Sequence, residues 1–179
     1  MIYLFLANGF EEIEALAPLD LLRRAGLEVT TVGIGGDRIV GSHGITVEAD
    51  IPEGLFADAA PDMIILPGGM PGSRHLDESR TVDVALKAAA RRGAYIAAIC
   101  AAPMVLGHRG LLVGKRAICF PGFEKELEGA TIATERVVRD GNVITAAGMG
   151  VAIEFGLALV AALKGEEVAN NLRRTILAD

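Results

Sequence analysis

Short apolar segments alternate with amphipathic segments along this chain of 179 residues. Apolar runs bounded by turn residues are typical of buried parallel strands, and apolar positions three or four residues apart are typical of helices packed on a sheet. The alternation predicts an α/β fold with a mostly parallel, doubly wound central sheet and helices on both faces. We predict core strands at 2–7, 28–32, 63–66 and 95–99, and helices at 11–25, 81–92, 150–163 and 166–174.

Less regular segments complete the predicted sheet. Glycines interrupt one of them, which indicates a hairpin or edge ribbon, and an Asp-Gly pair joins two others as a hairpin turn. These segments lie at 39–47, 117–120, 132–138 and 142–146. The chain contains no linker, repeat or low-complexity stretch, and its length is typical of one domain. We therefore expect residues 1–179 to form a single domain.

Composition excludes several classes of protein. Hydrophobic residues make up 51% of the chain and charged residues 22%, which indicates a folded globular protein. The net charge is −6, with no cluster of basic residues, so we expect neither nucleic acid nor an anionic membrane as partner. The mean hydropathy is +0.42, but no apolar run reaches the about 18 to 20 residues of a membrane span.

The amino terminus and the cysteines indicate a cytoplasmic protein. Residues 1–6 are apolar without a preceding basic region, and acidic residues follow, so they predict a buried strand rather than a secretory signal. Cys100 and Cys119 are the two cysteines of the sequence, which gives no basis for a disulfide framework. Free thiols are typical of a reducing compartment.

Cys100 is the strongest candidate for chemistry. It follows the predicted strand 95–99, and Ala101, Ala102 and Pro103 open a predicted helix behind it. Small residues around a strand-to-helix turn are typical of a nucleophile elbow, although alanines replace the usual glycines. Unpaired N–H groups at a helix start favour a thiolate, so this interpretation predicts a lowered thiol pKa. The alternative is a buried structural cysteine, which we expect for Cys119.

A glycine turn ends the predicted strand 63–66. Ligands collect at the carboxyl ends of strands in open α/β sheets. Gly68 and Gly69 follow Pro67 at such an end, where their backbone N–H groups could form an oxyanion hole. The alternative is an ordinary strand-to-helix turn.

Three acidic residues begin the first predicted helix. Glu11 and Glu12 are interpreted as exposed acids that complement the helix dipole. Glu14 differs, because Ala17 and Pro18 occupy the positions three and four residues later and offer no ion pair. A carboxyl group turned inward would have a raised pKa and could hold a proton near neutral pH.

The histidines do not supply an obvious general base. His75 follows the glycine turn, His108 lies near a predicted helix end, and neither is spaced as a zinc ligand with the cysteines. The glycines at 33–36 lack dinucleotide-binding spacing. We therefore predict neither a metal nor a cofactor. His43 stays a candidate, since a ribbon at a sheet edge can reach a pocket or a subunit interface.

Several motifs resemble those of the ThiJ/PfpI superfamily, and of its DJ-one branch in particular, over nearly the whole chain. They lie at 8–14, 18–20, 23–26, 66–69, 97–103, 154–155 and 168–169. The resemblance implies a flavodoxin-like α/β sandwich that is usually a homodimer.

The same resemblance implies roles for individual residues. Cys100 would be the reactive thiol, and a protonated Glu14 would hydrogen-bond its sulfur. Gly69 and Ala101 would offer N–H groups to an oxygen of the substrate or of the oxidised sulfur. The implied activity is cofactor-free conversion of methylglyoxal to lactate or repair of early glycation adducts.

Two other functions stay open. One is oxidant sensing or chaperone-like protection, with Cys100 oxidised to a sulfinate. The other is amidotransferase-like or protease-like hydrolysis, which needs a histidine near Cys100, and His43 is the candidate.

The chain departs from the family pattern around the expected pocket. Phe120 stands where several relatives have a histidine, and His43 stands where they have an arginine. Ala147 and Met149 replace an arginine and a proline. The apolar ring of Phe120 would remove a proton carrier and make the pocket drier, and the loss of the arginines makes anionic or phosphorylated substrates less expected.

Overall fold

The computed structural model describes residues 1–57 and 60–178. The strands are β1 Ile2–Ala7, β2 Val29–Ile34, β3 Arg38–Val40, β4 Thr46–Glu48, β5 Ile51–Pro52, β6 Met63–Leu66, β7 Tyr95–Ile99, β8 Arg116–Ala117, β9 Thr131–Ile132, β10 Val137–Asp140 and β11 Val143–Ala146. The helices are α1 Glu12–Arg24, α2 Gly72–Glu78, α3 Arg80–Arg92, α4 Pro103–Gly107, α5 Ala152–Lys164 and α6 Glu166–Thr175. None of the described helices has the length and apolar character needed to cross a membrane.

The main sheet has seven strands in the order β10-β11-β7-β6-β1-β2-β5. Every pair in it is parallel except β10 with β11, which forms an antiparallel hairpin at one edge. Strands β3 and β4 form a separate antiparallel ribbon, as predicted for 39–47. The predicted α/β class with a mostly parallel sheet is therefore confirmed.

Helices cover both faces of this sheet. Alternate residues of β1 point to opposite faces, so Leu4 and Leu6 join one apolar core, and Tyr3 and Phe5 join the other. The first core receives side chains from α1, α5 and α6, among them Leu22, Phe155 and Leu172. The second receives side chains from α2, α3 and α4, among them Leu76, Leu86 and Leu106.

Three neighbouring strands bring the candidate residues to one edge of the sheet. Strands β6, β1 and β7 are parallel, with β6 in the middle, so their carboxyl ends lie together. The chain continues from β1 into α1, from β6 into the glycine turn and from β7 into Cys100. The crevice outside these ends is the usual ligand site of such a sheet.

Two predicted strands differ from the structure. The segment 117–120 is not a strand beyond Ala117, because the Ile118 N–H donates to Thr145 Oγ1 and the Phe120 N–H donates to the Cys100 carbonyl. The segment 132–138 is interrupted between β9 and β10. Helix α2 was not predicted, since its sequence is short and polar and contributes only Leu76 as a large buried apolar side chain.

Candidate active site

Cys100 occupies a strained turn directly after β7. Its φ is 65°, in the left-handed region that residues other than glycine rarely adopt. Two backbone hydrogen bonds hold it there: the Cys100 N–H donates to the Ala146 carbonyl at 2.9 Å, and its own carbonyl accepts from the Phe120 N–H at 2.8 Å. Strain that neighbouring elements enforce in this way is typical of functional sites, and the turn has the geometry expected of an elbow.

Glu14 turns inward from the first turn of α1. It is 1% exposed, and neither carboxyl oxygen has a well-formed hydrogen bond within residues 1–57 and 60–178. The carboxyl nevertheless lies close enough to the Cys100 thiol and the Gly68 N–H for both to lower its pKa. Burial outweighs them and, with the negative charge of Glu11, raises the pKa of Glu14 to about 7. The carboxyl group can therefore gain or lose a proton near neutral pH.

Gly68 allows Glu14 and Cys100 to approach one another. A Cβ at residue 68 would lie 2.3 Å from Glu14 Oε2, 2.6 Å from Cys100 Cβ and 2.8 Å from the Ile99 carbonyl oxygen. The Ile99 oxygen belongs to the backbone of β7, and Cys100 Cβ is fixed to the strained turn that follows this strand, so neither can move aside easily. Only glycine fits at this position without displacing the pair.

Gly69 and Ala101 place backbone N–H groups near the Cys100 sulfur. Gly69 adopts φ 88°, and a Cβ there would lie 2.3 Å from the Glu11 nitrogen. Burial, together with the charge and hydrogen bonding of Glu14, raises the pKa of Cys100 to about 12. The N–H groups of Gly69 and Ala101 lower this pKa but do not outweigh burial. The predicted lowering of this pKa is wrong. Helix α4 begins only at Pro103 and has five residues, so its dipole is weak.

Glu12 anchors the β3–β4 ribbon and is not the exposed acid that its position suggested. It is 4% exposed, and its Oε1 accepts hydrogen bonds from the His43 N–H at 2.8 Å and the Ile45 N–H at 3.4 Å. Burial alone would raise its pKa, but backbone N–H groups, including those of His43 and Ile45, and the His43 ring together lower it to about 2. Glu11 is also partly buried, with its side chain 15% exposed.

His43 lies at the rim of the candidate site. Its Nδ1 lies 3.2 Å from Glu12 Oε2, 3.4 Å from Glu11 Oε2 and 3.1 Å from Ser42 Oγ, and its side chain is 70% exposed. The described contacts thus bring His43 to the acidic start of α1 and not to Cys100. Glu11, Glu12 and His43 place ligand-type atoms within 4.8 Å of one another. Glu12 is already bonded to the ribbon, so we interpret this cluster as a loop anchor.

The remaining candidates occupy distinct positions. His75 Nδ1 contacts the Asn8 carbonyl oxygen at 2.8 Å, and His108 lies between two carboxylates of the surface. Cys119 is buried, and burial raises its pKa to about 11, which agrees with a structural role. The sequence did not reveal that Phe120 and Ala146 hold the Cys100 backbone, because both contacts join distant segments.

Comparison with known proteins agrees with this architecture. The model of the DJ-1/PfpI family matches residues 1–162. Protein dj-1beta of Drosophila melanogaster is 37% identical over 175 residues, which cover 96% of this chain and 94% of that protein. The glutathione-independent glyoxalase DJR-1.2 of Caenorhabditis elegans is 34% identical over 168 residues, which cover 93% and 89% of the two chains.

A solved structure gives the same result for the fold. Oxidized Toxoplasma gondii DJ-1 is 34% identical and superposes with a TM-score of 0.95, over 98% of this chain and 97% of the other. The agreement extends over nearly the whole of both chains. The sequence resemblance, the sheet order and these matches lead to one conclusion: the chain belongs to the DJ-1/PfpI family.

Proposed function

We propose that this protein is a cofactor-independent cysteine enzyme acting on small reactive carbonyl compounds, either converting methylglyoxal to lactate or repairing early glycation adducts. The observation that carries the proposal is the buried Glu14 carboxyl group beside Cys100, with a pKa of about 7. A carboxyl group with this pKa can transfer protons in both directions near neutral pH. The name of the Caenorhabditis elegans relative, a glutathione-independent glyoxalase, supports the same chemistry.

The first step is addition of the thiol to the aldehyde. The pKa of Cys100 is about 12, so the sulfur needs a base at neutral pH, and the Glu14 carboxylate is positioned to accept its proton. A bond forms between sulfur and the aldehyde carbon, and the electron pair of the C=O bond moves to oxygen. The N–H groups of Gly69 and Ala101 would stabilise that oxyanion until Glu14 returns the proton.

The second step moves hydrogen within the adduct. Glu14 moves the hydrogen of the former aldehyde carbon, as a proton, to the keto oxygen, which gives an enediol. It then moves the proton of the hydroxyl group on the sulfur-bearing carbon to the former keto carbon. The product is a thioester of a 2-hydroxy acid, which water cleaves to lactate while restoring the Cys100 thiol. One carbon is oxidised and its neighbour is reduced, so the reaction balances without an added oxidant or reductant.

Oxidant sensing is the second candidate function. It is supported by the similarity to oxidized Toxoplasma gondii DJ-1 and by the buried Glu14 carboxyl group beside Cys100, which could hydrogen-bond a sulfinate on that residue. The raised pKa of Cys100 counts against it, because the thiolate is the form that peroxide oxidises readily. Hydrolysis of the protease type receives no comparable support, since the His43 ring contacts Glu11 and Glu12.

We further propose that the protein is a homodimer, as its family resemblance implies. Helices α1 and α5 pack on each other, and each leaves an isoleucine exposed, Ile13 at 49% and Ile153 at 41%. Large apolar side chains exposed on adjacent helices are typical of a surface that a partner covers.

The test is lactate formation from methylglyoxal without glutathione. We expect turnover by the wild type and by the Cys119→Ala control, and none by Cys100→Ala or by heat-inactivated protein. Turnover that persists in Cys100→Ala would contradict the proposal. Absence of wild-type turnover with Cys100 confirmed as reduced would reject the conversion of methylglyoxal and would favour the sensing function.

A further inference from the structure

An open cavity of about 330 Å³ lies beside the segment that follows β11. Most of its wall is apolar, and two of its large side chains, Phe120 and Met149, are each 49% exposed. The lining residues are Phe120, Pro121, Arg136, Ala147, Gly148, Met149, Gly150 and Val151. Exposed apolar side chains that converge on a concave surface are typical of ligand sites.

The cavity wall is joined to Cys100 on both sides. The Phe120 N–H donates to the Cys100 carbonyl at 2.8 Å, and the Cys100 N–H donates to the carbonyl of Ala146, the residue before Ala147. The Phe120 ring in turn packs on Gly148, where a Cβ would lie 3.2 Å from Phe120 Cδ2. These backbone contacts place the wall beside the residue that carries the thiol.

Arg136 supplies the charge in this lining, and protein groups already engage it. Its Nη2 donates to the Gly150 carbonyl at 3.1 Å, and its Nη1 lies 3.7 Å from Glu154 Oε1. A carboxylate of the protein already faces the guanidinium group. An anionic substituent of the substrate should therefore gain less binding free energy at Arg136 than an apolar substituent gains by contact with Phe120 and Met149.

We infer that this cavity is a subsite for the substituent of the carbonyl substrate, and that it selects an aromatic or bulky apolar group over a methyl group. The inference rests on the proposed function and specifies its substrate class as 2-oxoaldehydes with apolar substituents. The cavity volume exceeds that of one phenyl ring. Contact of such a ring with the apolar lining should raise the rate of reaction at Cys100 by about tenfold or more over a methyl group.

Covalent labelling of Cys100 tests the subsite without requiring turnover. Bromoacetone, phenacyl bromide and bromopyruvate carry a methyl, a phenyl and a carboxylate group on the same bromomethyl ketone. In each, the sulfur forms a bond to the terminal carbon, bromide leaves, and the thiol proton passes to Glu14 or water. The substituent then occupies the position that it has in a 2-oxoaldehyde. The measurement is the rate of labelling at Cys100 by peptide mass spectrometry, divided by the rate with free glutathione.

We expect the corrected rate for phenacyl bromide to exceed that for bromoacetone by about tenfold or more. Met149→Ser should reduce this ratio at least severalfold, and because Met149 is half exposed the substitution leaves the core intact. Leu55→Ser, an equivalent change at an exposed position away from the cavity, should keep the wild-type ratio.

Three results would overturn the inference: equal corrected rates for phenyl and methyl reagents, a ratio that Met149→Ser does not change, or preference for bromopyruvate, which would assign the cavity to anions through Arg136. Turnover separates the two proposals. Labelling selectivity without turnover of methylglyoxal or phenylglyoxal would retain the subsite and reject the enzyme, whereas turnover without selectivity would do the reverse.

Discussion

Glu14 and Cys100 meet beside the backbone of Gly68, at a point that leaves no room for a Cβ atom. The carboxyl comes from the helix after β1 and the thiol from the turn after β7, with β6 between these two strands. The pair thus exists only when three parallel strands are in register. Its buried carboxyl titrates near neutral pH, which makes it the most informative target for mutation.

Replacing Glu14 with glutamine removes the proton carrier and retains the shape of the side chain. Positioned acid–base groups accelerate reactions by about 10²- to 10⁴-fold, so kcat/KM for methylglyoxal should fall by that amount. Glu28→Gln, an exposed neutralising change, serves as the control and should keep wild-type kcat/KM. Full activity of Glu14→Gln would exclude Glu14 as the group that transfers protons.

Replacing Gly68 with alanine should separate the pair. The new Cβ would lie 2.6 Å from Cys100 Cβ and 2.3 Å from Glu14 Oε2, so both must shift. We expect a loss of kcat/KM of about 10²-fold, the usual result of misplacing reactive groups by about 1 Å, and a loss of stability of about 1 to 3 kcal/mol.

Gly54→Ala is the matched control for this change. A Cβ at Gly54 meets nothing within 4 Å, so kinetics and chemical denaturation should both remain close to the wild type. Wild-type activity in Gly68→Ala would show that the contact between Glu14 and Cys100 is not needed for turnover.

The raised pKa of Glu14 should appear in the pH dependence of stability. Between its ordinary pKa of 4.5 and its folded value of about 7, the folded protein keeps a proton that the unfolded chain has released. The free energy of unfolding therefore falls as pH rises through this window, by up to roughly 3 kcal/mol. Urea unfolding of the wild type and of Glu14→Gln at pH 4.5, 6 and 8 measures this contribution.

The glutamine variant cannot release a proton, so the stability difference between the two proteins should change in its favour as pH rises. A difference that stays constant from pH 4.5 to 8 would mean that the pKa of Glu14 in the folded protein is not raised above its ordinary value of 4.5. Other titrating groups are common to both proteins and cancel in this comparison.

The sequence alone predicted the parts of the site that local pattern determines. The continuous apolar runs at 2–7, 63–66 and 95–99 coincide with β1, β6 and β7, because strands buried on both faces need apolar residues at every position. The position of Glu14 without an ion-pair partner indicated a buried carboxyl, and the structure agrees.

Features that depend on distant segments were not predictable. Glu12 looked like an exposed acid, because its partners are N–H groups of the ribbon at residues 43 and 45. The short β8 ends early since Ile118 and Phe120 bond to Thr145 and Cys100 instead of a strand. The pKa of Cys100 depends on the balance between burial and nearby N–H groups, which only the packed structure reveals.

His108 should stabilise the protein mainly at lower pH. Its ring nitrogens lie 2.8 Å from Glu126 Oε2 and 2.7 Å from Asp77 Oδ2, and the bond to Glu126, ahead of that to Asp77, raises its pKa above 6.5 although burial opposes this. Arg109 also faces Asp77 in this group. The stabilisation is fully present below pH 6.5 and is lost as pH rises through the folded pKa.

Chemical denaturation of the wild type and of His108→Gln measures this effect. The variant should be less stable than the wild type at pH 5.5, and the difference should shrink by pH 8.5. Glu126→Gln should lower the pKa of His108, which NMR titration of the ring reports directly. An unchanged pKa in that variant would show that the contact does not form in solution.

The proposed dimer predicts that an acidic side chain at Ile13 produces monomers. Ile13 is 49% exposed on α1, and a partner that covers it would bury the new carboxylate of Ile13→Asp in each protomer, at a cost of about 3 to 5 kcal/mol for each uncompensated charge. Val84→Asp makes the same kind of change at a residue that is 41% exposed on α3, which packs on the opposite face of the sheet.

Sedimentation equilibrium should give dimers for the wild type and Val84→Asp, and monomers for Ile13→Asp. Monomeric wild type would reject the dimer, and dimeric Ile13→Asp would place the interface away from α1.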